Sequence, residues 1–130
     1  MAPLKLVLVL ASAPGQPEGD PATRLELAIA LDAAGRPDPV AWRSDPEPWH
    51  ARLLRPDLPP RSGDVQYDPD NGWSITFFGM AAQRPDMPGA ALAIPAPLRP
   101  GEYVTLTDID GSELVFRVVG VAGMDEAGPS

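Results

Sequence analysis

A mainly β, single-domain antiparallel fold is what the sequence predicts: a sandwich or a partly open barrel of six to seven strands, with a small helical insertion near residues 39–54. Three observations predict it. Residues 101–121, GEYVTLTDIDGSELVFRVVGV, hold two β-rich runs around an Asp-Ile-Asp-Gly turn. Residues 23–32, TRLELAIALD, alternate Leu25, Leu27, Ile29 and Leu31 with Arg24, Glu26, Ala28 and Ala30, the period of a strand with one face in a core. Elsewhere, short apolar runs are separated by Pro/Gly turn signals rather than by helical repeats, which argues against an alternating α/β plan.

Composition agrees. At 130 residues and 44% hydrophobic, the chain can build one core. Its 18 prolines and 12 glycines stay just under the roughly 25–30% share at which disorder becomes the default. A globular domain with long, stiff loops follows, expected over residues 1–122 with a frayed tail at 123–130.

Taken in order, residues 4–11, LKLVLVLA, are too short and too valine-rich for an isolated helix and predict a strand buried on both faces in the middle of a sheet. Residues 1–13, with their Lys, short apolar run and Ala-Ser-Ala ending, have the outline of a leader peptide. They are short for one, and Pro14 would follow the cut, so an integral strand and a cytoplasmic location are expected over periplasm or secretion. Residues 13–22 form a Pro/Gly/acidic loop, and the alternating strand at 23–32 follows.

Residues 38–44, DPVAWRS, are echoed at once by DPEPWHA. Each copy places Asp as a helix N-cap and Pro at the first helical position, so one turn is expected from the first copy and a helix from Pro46 to about Leu54 from the second. Residues 55–62, RPDLPPRS, predict an extended polyproline-type linker. A hairpin pairing residues 64–67 with 73–78 across Asp68-Pro69-Asp70-Asn71-Gly72 comes next, with Trp73, Ile75 and Phe77 on one face. Within the proline-punctuated stretch 79–100, residues 91–94 predict a short edge strand.

The last hairpin admits two registers one residue apart. A two-residue turn on Asp110-Gly111 leaves both faces mixed. A type I turn from Asp108 with Gly111 as a bulge gathers Val104, Leu106, Leu114, Phe116 and Val118 on one face. A one-residue slip moves every side chain across the sheet, so the register with one clean apolar face is expected.

Charge and motifs exclude several functions. A net charge of −8, with nine arginines scattered along the chain against one lysine, makes nucleic acid and anionic membrane poor partners. That arginine bias, with abundant Ala, Pro, Gly and Asp, fits GC-rich bacterial coding. No cysteine is available as nucleophile or ligand, and no GxGxxG or Walker pattern offers a phosphate cradle, so no cofactor is expected. Asp68, Asp70 and Asn71 beside Gly72 suggest calcium, but the EF-hand pattern needs a ligand where Gly72 stands. The group Asp108, Asp110 and Gly111 fails similarly, so no metal is expected. His50 is the single histidine, and no serine sits in a nucleophile elbow.

What remains is a non-catalytic binding or assembly module, with a protein partner or a second copy of the chain. Exposed sheet edges that need partners motivate that reading. The alternative is a small-ligand or glycan-binding domain using Trp42, Trp49 and Trp73, and a third reading is a hydrolase using acidic residues with His50.

Overall fold

The computed structural model describes residues 3–78, 89–95, 97–109 and 111–123. Eight strands form one closed antiparallel barrel in simple sequence order: β1 (Leu4–Ser12), β2 (Asp20–Ile29), β3 (His50–Arg55), β4 (Leu58–Asp68), β5 (Gly72–Phe77), β6 (Ala90–Ala93), β7 (Tyr103–Thr107) and β8 (Glu113–Gly123). The ring closes where β1 pairs with β8, from Leu4 opposite Gly123 to Ser12 opposite Val115. The one helix among the described residues, α1 (Pro39–Ser44), lies in the β2–β3 connection.

Alternation explains the core. Leu6, Leu8 and Leu10 from β1, Leu25, Leu27 and Ile29 from β2, Ala51 and Leu53 from β3, and Val65 from β4 point inward. Ile75, Phe77, Leu92, Val104, Leu106, Phe116 and Val118 complete the ring. An eight-stranded barrel encloses a bore just wide enough for side chains to fill, and these large residues fill its middle. On the outer face Glu26 lies 3.9 Å from Lys5 and 3.6 Å from Arg24.

The two hairpins adopt the expected registers. Val104 faces Phe116 and Leu106 faces Leu114, while Gly111, at φ +90°, donates its N–H to the Asp108 carbonyl at 2.9 Å as the bulged turn requires. Asp110 lies outside the described residues. In the β4–β5 hairpin Val65 faces Ile75 and Tyr67 faces Trp73, with Gly72 left-handed at φ +81°.

Other expectations need correction. The fold is neither a sandwich nor an open barrel of six to seven strands, because β1 and β8, at opposite ends of the chain, close the ring. Every strand therefore has a neighbour on both sides, and the exposed edges that motivated an assembly role are not there. β6 in particular is no edge strand, since it pairs with both β5 and β7. β1 is buried on one face only, as Val7 and Val9 point outward and are half-buried.

The helical insertion is confined to Pro39–Ser44. Asp38 caps it, accepting from Val40 N at 2.9 Å and Ala41 N at 3.3 Å. The second copy cannot repeat this, because Pro48 drives Glu47 away from helical angles. Asp45 instead accepts from Glu47 N at 3.0 Å and from the Trp49 indole at 2.9 Å, and the chain enters β3 at His50. Residues 55–62 are likewise the β3–β4 hairpin and not a linker. Among the described residues, pairing of β4 with β5 begins only at Gly63, so Pro59 and Pro60 stand where a missing N–H breaks no ladder bond on that side. Of the expected tail, Gly123 ends β8 and residues 124–130 lie outside the described residues.

Candidate functional site

Antiparallel alternation gives the barrel two chemically different ends. One carries the β2–β3, β4–β5 and β6–β7 connections, and all three tryptophans gather there. Trp49, two residues before inward-facing Ala51, is 1% exposed and stacks on Trp73 with centroids 5.8 Å apart and planes 8° from parallel. Trp42, on α1, donates its indole N–H to the Val65 carbonyl at 2.9 Å and meets Trp73 edge-on at 6.4 Å. Tyr67, opposite Trp73 in the β4–β5 ladder, completes the cluster at 4.7 Å from Trp73. The expected trio is thus brought together, with Tyr67 added. The parallel pair does not make a solvent-facing platform, however, because Trp49 is covered. The cluster and α1 stopper this end, as aromatic rings with satisfied N–H groups commonly do.

His50 stands away from this cluster, on the outer face of β3. Its side chain is 70% exposed, with Nδ1 3.3 Å from an Asp64 carboxylate oxygen. The Asp68 carboxylate accepts from Asp70 N at 2.8 Å and Asn71 Nδ2 at 3.1 Å, bonds that hold its pKa below the ordinary value and account for it as a turn former. Among the described residues no group of three or more His, Cys, Asp or Glu could hold a metal ion.

The opposite end is built from the β1–β2, β3–β4 and β7–β8 turns and contains an open cavity of about 400 Å³. Leu10, Leu53, Leu58 and Leu114 supply apolar wall, while Asp20, Thr23, Arg55, Asp57, Arg61 and Asp108 supply polar groups. Arg61 pairs with Leu53 across the β3–β4 ladder and so shares its inward face. Its guanidinium lies 4.2 Å from the Phe77 ring centroid and makes a two-pronged bond to Asp108, with Nη1 to Oδ2 at 3.0 Å and Nη2 to Oδ1 at 3.1 Å. The two side chains are only 13% and 16% exposed. The Arg61 hydrogen bonds hold the Asp108 carboxyl below the usual carboxylate range despite partial burial, with help from the Ile109 N–H and the charge of Arg55.

This mouth was not visible in the sequence. Arg61 sits in a proline-rich stretch with no period to mark it as inward-facing, and Asp108 is fully accounted for locally as a turn former. Only the alternation of β3, hidden between prolines, could have placed Arg61 opposite Leu53.

No family model matches the chain, and neither a curated protein nor a solved structure matches it. Among the described residues, no helix is long and apolar enough to cross a membrane.

Proposed function

We propose that this chain is a non-catalytic binding module whose open barrel mouth takes a small amphipathic molecule. The cavity between the three turns carries the reading: its volume falls within the roughly 300–1,000 Å³ of small-molecule sites, and it combines apolar walls with a few fixed polar groups. Eight-stranded up-and-down barrels are suited to this, since their bore fills with side chains and leaves room for one small ligand at most. A binding role is favoured over hydrolysis because Asp108, held ionised by Arg61, is poorly tuned to exchange protons near neutral pH. An apolar middle of the bore, with ion pairs such as Lys5–Glu26 on the outer face, is the reverse of a water-filled membrane barrel and supports an aqueous setting.

Titration with the neutral dye Nile red tests the reading. Saturable binding of one dye per chain, lost in Leu114→Trp while cooperative melting persists, is the expected result. Binding that survives the filled mouth would place the site elsewhere. Intrinsic tryptophan fluorescence separates this from the tryptophan-based alternative: a mouth ligand leaves it nearly unchanged, whereas a sugar seated at Trp42 shifts it.

A further inference from the structure

We infer that the mouth selects a carboxylate-bearing amphiphile, with the anionic head held by Arg55 and the tail against Leu10, Leu53, Leu58 and Leu114. This rests on the mouth being the binding site, and adds the chemical class of what it binds.

The argument comes from what the two arginines of the mouth lack. Arg61 spends both Nη groups on Asp108, yet its Nε is buried with no hydrogen-bond partner. Arg55 lines the same cavity, and its Nε is also buried with no partner. No ion pair within 4.0 Å engages Arg55 among the described residues, although its charge acts on Asp108. A buried guanidinium donor without an acceptor is costly, and the planar fork of Arg matches a carboxylate through two parallel bonds.

Two of the three neighbouring carboxylates are otherwise occupied. Asp108 is committed to Arg61, and Asp20 accepts from Ala22 N at 2.9 Å and from the Thr23 hydroxyl at 3.1 Å. Asp57 is exposed at the tip of the β3–β4 turn. Together these three acids around two arginines already leave the mouth with an excess negative charge, so a dianionic phosphate monoester is disfavoured more strongly than a singly charged carboxylate seated on the unpaired Arg55 fork. The apolar wall favours a head that carries a short hydrocarbon tail.

Displacement of Nile red by four eight-carbon competitors provides the test: octanoate, 1-octanol, octylammonium and octyl phosphate. Octanoate should compete about tenfold better than 1-octanol, a difference of about 1.4 kcal/mol, and better than octyl phosphate. Octylammonium should be weakest. Arg55→Gln should bring the octanoate-to-octanol ratio close to one, and Arg55→Lys should restore part of it. Arg52→Gln, a change on the outer face of β3, should keep the wild-type ratio. Equal competition by octanoate and octanol in the wild-type protein, or preference for octylammonium, would overturn the carboxylate assignment while leaving the mouth as a site. A ratio unchanged in Arg55→Gln would overturn the role of Arg55. Failure of Nile red itself to bind would instead remove the mouth reading on which the assignment stands.

Discussion

The Arg61–Asp108 pair joins β4 to the β7–β8 turn across the mouth, and its energy can be worked from its geometry. Two charge-assisted bonds at 3.0 and 3.1 Å are intrinsically strong, but the groups are 13% and 16% exposed, so water still competes. Exposed ion pairs contribute about 0–1 kcal/mol, while breaking a fully buried pair costs about 3–5 kcal/mol. An intermediate environment puts Asp108→Asn at about 2 kcal/mol. Arg61→Met should cost about 3 kcal/mol, because it also removes the guanidinium from the Phe77 ring, a contact worth about 0.5–2 kcal/mol. The double variant should be much less than additive, with a coupling of about 1.5–2 kcal/mol, since each single change already strands the other partner. Urea unfolding of the four proteins, at constant slope, measures this. A coupling below about 0.5 kcal/mol would mean that the pair behaves as an ordinary surface bridge and that the mouth is wetter than its burial indicates.

Three further outcomes follow. Asp108 has its carboxyl depressed in the folded chain, so its contribution to stability is fully present above the unfolded carboxylate pKa of about 4. That contribution is lost as pH falls through the lower folded value, so the stability difference between wild type and Asp108→Asn, measured by urea unfolding from pH 7 downward, should shrink only below about pH 4; a difference already gone at pH 5 would contradict the assignment. Phe116→Ala, in the barrel interior opposite Val104, should cost about 3–5 kcal/mol by denaturant unfolding; Arg117→Ala, on the outer face, should cost less than about 1 kcal/mol. Gly63→Ala should cost about 3 kcal/mol, because its Cβ would collide with the Thr76 carbonyl oxygen and lie 2.8 Å from Phe77 Cα; a melting temperature close to wild type would show that β4 and β5 can separate there.

A fourth concerns closure. Deleting residues 1–13 removes β1, leaving β2 and β8 each without a neighbour on one side and the core without Leu6, Leu8 and Leu10. Cooperative thermal unfolding should be lost, and a truncated chain melting like the full one would show that β1 is dispensable.

Local patterns were legible wherever one short segment carried the whole constraint. The β7–β8 register follows from which slip leaves Val104, Leu106, Phe116 and Val118 on one face, and Gly111 supplies the positive φ the bulge needs. The strict alternation in β2 marked its inner face in the same way, and Asp38 with Pro39 marked the start of α1. A repeated motif was less secure, since DPEPWHA differs from DPVAWRS at four of seven positions, and among them Pro48 disfavours helical angles at Glu47 on the approach to β3.

Closure, strand number and the mouth belong to the tertiary structure. Whether β1 is the middle of an open sheet or the seam of a ring depends on its meeting β8, and Leu4 and Gly123 are neighbours only in space. No local period encodes that contact, because a strand with one apolar face fits a sandwich and a barrel equally well. β3 was hidden for a related reason: six residues between prolines carry too little alternation to announce a strand until β2 and β4 supply partners on both sides. Arg61 and Asp108 are 47 residues apart and each is unremarkable in its own segment. Only when the closed ring turns Arg61 inward beside the β7–β8 turn do their opposite charges leave bulk water together, and that placement makes one end of the barrel polar while the tryptophans stopper the other.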